Sequence, residues 1–186
     1  MVVLSILFCL FLLGTAGLIF ISRGSLRQPQ SHGFYRFFAW EFIWVLALLR
    51  VGVWFFDPLA WYQLISWCLL LVAAYLVVHS VWLLRQTGQR DAERKDPALF
   101  EFEKTGRLVT TGAYRYIRHP LYSSLLFLAW GIFFKSPDWL GGLFALAASL
   151  CLVATAVIEE AEDIRFFGEE YRAYIRKTKM FIPFVI

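Results

Sequence analysis

Long apolar stretches alternate along this chain with short segments that hold most of its charged residues. The first stretch covers residues 2–21 and contains no charged side chain. Twenty residues with a rise of 1.5 Å each form a helix about 30 Å long, the thickness of a bilayer's hydrocarbon core. The pattern predicts about five membrane-spanning helices, at residues 2–21, 37–56, 61–84, 121–134 and 139–158.

Composition favours the same all-α, polytopic membrane fold. Hydrophobic residues make up 60% of the 186 and charged residues 17%. A soluble helical bundle of this size is a poor alternative, because it cannot bury so much apolar surface. The uncharged N-terminal run lacks the basic residues that begin a signal peptide and is long, so we interpret it as a retained first span.

The distribution of lysine and arginine predicts the orientation. Three of them lie between the first two spans, eight between the third and fourth, and five after the fifth, whereas Lys135 is the only one in the two remaining loops. Basic segments stay on the cytoplasmic side. We therefore expect an outside N-terminus and a cytoplasmic C-terminus. Topology accounts for the net charge of +4, so no nucleic-acid partner is expected. The cysteines (Cys9, Cys68 and Cys151) lie in apolar runs without ligand spacing, so no metal is expected either.

The segment after the fifth span has a helical pattern of its own. Apolar residues recur at steps of three and four, and charged residues occupy the other face. The apolar positions are Ile164, Phe167, Tyr171, Tyr174 and Ile175. This pattern predicts an amphipathic helix that ends before Pro183. It leaves two roles open: a helix resting on the membrane surface, or a lid or wall of a cytoplasmic pocket.

Three ionisable residues lie inside the predicted spans, where they are costly and therefore candidates for function. Glu41 and Arg50 belong to the second span, nine residues apart and on nearly opposite faces. His79 lies near the cytoplasmic end of the third span. A satisfied packing residue is the more common role for such a histidine.

The cytoplasmic ends of the last two spans carry several unusual groups together. Arg118-His119-Pro120 precedes the fourth span, with Tyr122 just inside it, and Glu159-Glu160 follows the fifth. The free N–H groups of a first helical turn attract carboxylates, and acids at a helix C-terminus need a cation nearby. Because the two spans form a hairpin, we expect these groups to meet around one zwitterionic ligand.

These residues, taken in order, resemble a known family. The segments are Gly106-Arg107-Leu108-Val109-Thr110-Thr111-Gly112-Ala113-Tyr114, then Arg118-His119-Pro120-Leu121-Tyr122, Glu159-Glu160 and Phe167-Gly168-Glu169-Glu170-Tyr171. Their order and spacing are similar to those of the isoprenylcysteine carboxyl methyltransferase family, a superfamily that also includes phospholipid N-methyltransferases. The resemblance covers about residues 100–186. It divides the chain into an N-terminal three-span region with its linker, residues 1–99, and a cofactor-binding region, residues 100–186.

The resemblance implies S-adenosylmethionine as the methyl donor, bound between the last two spans and the C-terminal helix. It implies catalytic roles for Glu159 and His119. The donor-binding residues it implies are Gly106, Arg107, Leu108, Val109, Tyr114, Arg118, His119, Pro120, Leu121, Tyr122, Glu159 and Glu160. Arg118 has an alternative structural role, pairing with the acids after the fifth span.

The chain departs from the family at the acceptor side. An arginine that lies one helical turn before the glutamate in the carboxyl methyltransferases is replaced by Thr155, and an upstream glutamine by Leu99. A prenylcysteine carboxylate is therefore a doubtful substrate. We expect a lipophilic or small thiol, carboxylate or amine acceptor, with Thr155, His79 and Glu41 bordering its entrance, and membrane lipid as the surroundings.

Two other classes of function stay open on the sequence alone. One is a non-catalytic membrane protein that binds a ligand or assists assembly, and the other is a nicotinamide-dependent membrane reductase. We expect the chain in the cytoplasmic membrane of a prokaryote or in the endoplasmic reticulum of a eukaryote.

Overall fold

The computed structural model describes residues 2–89, 91 and 98–183. Within these ranges the chain forms six α-helices and no β-strand, which confirms the all-α prediction. Arg90, Arg94 and Lys95 of the predicted basic segment lie outside the described residues. The helices are α1 (Val2–Leu26), α2 (His32–Arg50), α3 (Trp61–Thr87), α4 (Pro120–Phe133), α5 (Trp139–Phe167) and α6 (Glu169–Ile175).

Three of these helices, α1, α3 and α5, are long and apolar enough to cross a membrane. Helix α4 is apolar but has 14 residues, about 21 Å at the usual rise per residue. Helix α2 has 19 residues and carries Arg36, Glu41 and Arg50. The structure therefore supports three spans by length and composition, and the prediction of five stays a prediction.

Helix α2 differs at both ends from the predicted second span. Helix α2 begins at His32 rather than residue 37, because the chain turns just before it, where the Ser31 hydroxyl donates to the Gln28 carbonyl oxygen. The helix ends at Arg50 rather than residue 56. Residues Val51–Val53 form a 3-10 turn, and Asp57 adopts a positive φ of 45° that turns the chain before Pro58.

The end of α5 also differs from the prediction. The helix continues nine residues beyond residue 158, to Phe167, so all four acids after the apolar run are helical. Gly168 then adopts a φ of 63°, in the left-handed region that favours glycine, and breaks the helix. The single amphipathic helix predicted over Ile164 to Ile175 is therefore the last turn of α5 followed by the separate, short α6.

Close packing between helices holds the bundle together. Helix α2 packs along α5, and α3 packs along α4, while α1 contacts α2. Ala129, Ala145 and Ala148 are fully buried in one core cluster with Leu46. Small residues at such positions let helix backbones approach closely, which is the usual basis of helix association in membranes. Since helices from both sides of residue 99 share the bundle, the division into two regions stays a prediction.

One end of the bundle is fixed by buried polar contacts. Gln63 donates to the carbonyl oxygens of Val53, Phe56 and Lys135, and its side-chain oxygen accepts from Lys135 Nζ at 3.1 Å. Lys135 is 1% exposed and its ammonium lies 3.1 Å from the centre of the Trp67 ring.

Arg50 belongs to the same end. Its guanidinium donates to Asp138 at 2.6 Å, so the arginine of α2 anchors the start of α5. The Gly141 N–H and Arg50 together lower the pKa of Asp138 against the opposing effect of burial.

At the opposite end, the segment after α6 returns to the start of α4. Lys179 forms an isolated parallel bridge with Ile117, and the backbone N–H groups of Arg118 and His119 donate to the carbonyl oxygens of Lys179 and Met180. The Ser123 hydroxyl donates to the Phe181 carbonyl oxygen at 2.8 Å. These contacts fix the residues that precede α4.

Candidate functional site

His119 lies between two carboxylates of α5. Its Nδ1 is 3.2 Å from Glu159 Oε2, and its Nε2 is 3.2 Å from Glu160 Oε1. Burial alone lowers the pKa of His119, but the hydrogen bonds to Glu159 and Glu160 outweigh it and raise the pKa from 6.5 to about 9. Because both ring nitrogens face carboxylate oxygens, the geometry fits an imidazolium that donates through each of them.

Arg118 joins the same cluster from the other side. Its Nε donates to Glu160 Oε1 at 2.7 Å, and its NH1 group donates to the Thr178 carbonyl oxygen at 2.6 Å. The guanidinium thereby ties α5 to the segment after α6. This is the structural alternative that the sequence left open for Arg118, and it supplies a cation that the acids at the end of α5 require.

A cavity opens beside this cluster, at the start of α4 and the end of α5. Three carboxylates line it, those of Glu103, Glu159 and Asp163, and aromatic rings form much of its wall. The remaining lining residues are Leu84, Leu99, Thr105, Leu108, Val109, Tyr114, Arg118, His119, Pro120, Leu121, Tyr122, Phe167, Tyr171 and Tyr174. Such a cavity can hold a ligand that has cationic groups and a flat aromatic ring.

Two tyrosines connect the far wall of the cavity. The Tyr174 hydroxyl of α6 donates to the Tyr114 carbonyl oxygen at 2.6 Å, and both side chains are buried. Tyr114 belongs to a 3-10 turn that begins at Gly112, whose φ is +58°. A Cβ at Gly112 would lie 2.6 Å from Leu83 and 2.7 Å from His79, so this glycine lets the turn approach α3.

The segment before residue 104 is held over the cavity by Arg36. The Arg36 guanidinium donates to Glu103 at 3.1 Å and to the carbonyl oxygen of Ala98, and it lies over the Phe100 ring. Burial raises the pKa of Glu103 above its usual value, although Arg36 acts against it. Helix α2 thus positions a cavity wall that is distant in the sequence.

Most of the predicted donor-binding residues come together around the cavity. Leu108, Val109, Tyr114 and the run from Arg118 to Tyr122 line it together with Glu159. Gly106 and Arg107 do not line it. Their backbone N–H groups donate instead to the carbonyl oxygens of Gln89 and Gly88, just after α3. Glu160 lies behind the wall, where it accepts from Arg118 and His119.

The three residues predicted at the acceptor entrance lie apart from this cavity, so their role at an entrance stays a prediction. Glu41 accepts a hydrogen bond from Thr15 of α1 at 3.1 Å. The His79 ring stacks on Tyr75 and Trp82 along α3. Thr155 is fully buried, and its hydroxyl donates to the Cys151 carbonyl oxygen. None of the three lines the cavity.

Several cavity residues were missed by the sequence analysis. Glu103 and Thr105 belong to a segment of mixed charge that has no periodic signal. Phe167, Tyr171 and Tyr174 were identified as the apolar face of a helix, and Phe167 and Tyr171 also as part of the family resemblance, but none of them was predicted to bind a ligand. Their place on the cavity favours the wall over the membrane-surface alternative. Asp163 follows Glu159 by one turn, so its helical spacing was the available signal.

Comparison with known proteins gives one family. A model of the phospholipid methyltransferase family matches residues 61–170, more than half of the chain. The match includes all of α3, α4 and α5, and therefore much of the cavity wall.

The curated relatives share one printed name, methanethiol S-methyltransferase. The protein from Crocosphaera subtropica is 27% identical over 149 residues, which are 76% of this chain and 55% of the relative. The protein from Pseudomonas deceptionensis is 28% identical over 139 residues, 72% of this chain and 47% of the relative. The chain therefore spans about half the length of the curated relatives it matches. No solved structure shows a significant match.

Proposed function

This chain belongs to the phospholipid methyltransferase family, and from that membership we propose that it transfers a methyl group from S-adenosylmethionine to a small thiol. The observation that carries the proposal is the acid-lined, aromatic cavity beside the cluster of His119, Glu159 and Glu160. The same membership supports an integral membrane protein.

The residues of the cavity suit this donor. When bound, the donor supplies an electrophilic methyl group on a positively charged sulfonium. Glu159 and Asp163 offer negative charge for the sulfonium and the amino group, and the rings of Tyr114, Tyr171 and Phe167 offer apolar surface for the adenine. His119 holds Glu159 in place through the 3.2 Å contact. Methyl transfer depends mainly on alignment, so orienting the donor is the main catalytic task of these side chains.

A small thiol fits the structure better than a long-chain lipid. Beyond Tyr122, toward the middle of the bundle, the core is filled by Ala39, Leu152 and Ala156, each with no exposed surface. A lipid acceptor needs an opening between helices for its acyl chains, and these packed side chains occupy the space next to Tyr122. The shared name of the curated relatives also favours a thiol.

We further propose that α1 to α5 cross the membrane as five spans. The cavity then faces the cytoplasm, because the arginines and lysines around the α1–α2 turn, between α3 and α4, and from the end of α5 onward fall on one side. Helix α4 is too short to cross the whole hydrocarbon core, so its start and the cavity are recessed into the cytoplasmic side of the bilayer. In bacteria this places the enzyme in the cytoplasmic membrane.

Donor binding to the purified protein tests the cofactor and its site. Titration calorimetry is expected to show binding of S-adenosylmethionine, and Glu159→Ala is expected to weaken it at least about a hundredfold, since a buried charge partner is lost. Glu169→Ala is the matched control, because Glu169 is exposed and pairs only locally with Arg172. Wild-type affinity in Glu159→Ala would refute the assignment of the site.

Label transfer tests the acceptor. Membranes containing the protein receive methyl-labelled donor together with methanethiol or with phosphatidylethanolamine. The label is expected in the volatile thioether. Label in the phospholipid alone would overturn the thiol, while binding of a nicotinamide dinucleotide in place of the donor would favour a reductase. Donor binding without transfer to any acceptor would favour a non-catalytic ligand-binding protein.

A further inference from the structure

Two buried polar atoms near Glu159 have no hydrogen-bond partner among the residues that the structure describes. They are Nε2 of His32, on α2, and the hydroxyl of Tyr122, on α4. His32 has no exposed surface and Tyr122 is 3% exposed. A buried polar group without a partner is costly, and its persistence calls for an explanation such as a ligand. The neighbouring polar side chains Arg118, His119 and Glu160 are hydrogen-bonded.

The other side of the His32 ring is fixed by a carboxylate. Nδ1 lies 2.5 Å from Glu162 Oε2, and the His32 backbone N–H donates to the other oxygen of the same carboxylate at 3.4 Å. When Nδ1 donates its proton to Glu162, Nε2 keeps a lone pair. A carboxylate that orients a histidine and increases its basicity is a recurring arrangement for general bases.

His32 and Tyr122 both lie close to the cavity's central acid. Glu162 follows Glu159 by three residues, so both project from one face of α5. The Glu159 carboxylate is within electrostatic reach of the His32 ring and lies close to the Tyr122 hydroxyl, although the two do not form a hydrogen bond of normal geometry; Arg36 is within electrostatic reach of both His32 and Tyr122. Tyr122 lines the cavity directly. Three helices therefore bring these two unpartnered atoms close to Glu159, and Tyr122 is the one of the two residues that lines the cavity.

We propose that His32 Nε2 and the Tyr122 hydroxyl bind the sulfur of the acceptor, with His32 as its general base. This inference rests on the proposed function. A thiol has one donor and one acceptor, so its S–H can donate to Nε2 while its sulfur accepts from the Tyr122 hydroxyl. The entering thiol satisfies both free atoms at once. A bulky phospholipid headgroup does not match this pair of one acceptor and one donor.

The proton and the electrons balance in the resulting step. The S–H bond breaks and its proton goes to His32 Nε2, which leaves a thiolate. A lone pair of that sulfur forms the new bond to the methyl carbon. The bond between the methyl carbon and the donor sulfur breaks, and its electron pair stays on the donor sulfur, which becomes a neutral thioether. Glu162 stabilises the imidazolium that forms.

The test uses His32→Asn and Tyr122→Phe in the purified full chain. Asparagine keeps a side-chain N–H that can donate to Glu162 and removes the Nε2 lone pair. With an alkanethiol, His32→Asn is expected to lower kcat/KM by about a hundredfold or more, because a general base contributes that much. With an aromatic thiol, which is already ionised at neutral pH, the loss is expected to be less than about tenfold. Tyr75→Phe, on the exposed face of α3, is the control for the hydroxyl deletion.

Two binding measurements separate this site from the donor site. Calorimetric affinity for S-adenosylmethionine is expected to be unchanged in His32→Asn, while affinity for ethanethiol, measured with the demethylated donor present, falls about tenfold in either variant. An equal loss of kcat/KM with both thiols, or weakened binding of S-adenosylmethionine in His32→Asn, would refute the assignment of His32 as the general base. If the wild-type protein methylates no thiol, the proposed function itself fails. If it does and both variants match it, only the present inference fails.

Discussion

The imidazolium of His119 makes a quantitative prediction about stability and pH. The folded protein raises the pKa of this histidine from 6.5 to about 9, through hydrogen bonds to Glu159 and Glu160 that outweigh burial. A shift of about 2.5 units corresponds to about 3 kcal/mol of folding free energy. Because His119 is only 6% exposed, solvent screening removes little of it.

The sign of the effect follows from the direction of the shift. A histidine whose pKa is higher in the folded state stabilises the fold fully below pH 6.5, the unfolded value, and its contribution disappears as the pH rises through about 9. In His119→Asn this dependence is absent. The wild type is therefore expected to lose about 3 kcal/mol relative to the variant between pH 6 and 10, or about 6–12 °C in Tm for a chain of this size.

Thermal unfolding in detergent, followed by tryptophan fluorescence at a series of pH values, measures the difference. Subtracting the variant from the wild type removes the other titrating groups. His79→Asn serves as a control for the loss of an imidazole elsewhere in the fold, since the His79 ring stacks on Tyr75 and Trp82. Parallel wild-type and His119→Asn curves over the whole range would refute the imidazolium held between two carboxylates.

Two other predictions concern contacts away from the reacting groups. Gln63→Leu is expected to destabilise the fold by about 1–3 kcal/mol, because three carbonyl oxygens and the Lys135 ammonium lose a buried partner. Unfolding in denaturant measures the loss. Gln28→Leu, on the exposed turn before α2, is the control. Gly112→Ala is expected to cost about 1–2 kcal/mol from the positive φ of 58° and the 2.6 Å approach to Leu83, and to weaken donor binding by displacing Tyr114. Calorimetry checks the second effect, with Gly52→Ala, which has open space at its Cβ, as the comparison; unchanged affinity would show that the turn does not position the donor.

The sequence predicts the helical architecture well where one strong signal controls it. Charge-free apolar runs identify α1, α3 and α5, because a membrane tolerates little else. The ends of α2 and α5 were predicted less well, since helices continue past the apolar run when the following residues still favour helix. Gly168 was visible in the sequence, but its left-handed conformation was not.

The candidate site also contains some residues that the sequence could place and others that it could not. Arg118, His119 and Glu159 could be placed together because a hairpin forces its two ends to meet. The contributions of Arg36 and His32 could not, because they depend on how α2 packs against α5, and no local spacing in the sequence encodes that contact. Glu41 and His79 were selected for polarity inside spans, and Thr155 because it replaces the family's arginine; the structure shows each of the three in contact with neighbouring helix groups.

The return of the segment after α6 to the start of α4 has a consequence for biogenesis. Lys179, Met180 and Phe181 supply carbonyl oxygens to Arg118, His119 and Ser123. If α4 and α5 cross the membrane as proposed, their hairpin can therefore enter the bilayer during synthesis before the residues that precede α4 are held in place. The cavity is complete only after the ribosome has added the residues from the end of α4 to Phe181, about fifty in all, and that segment has folded back. Until then the proposed donor site is incomplete, so the nascent protein is expected to be inserted first and to become able to bind S-adenosylmethionine later.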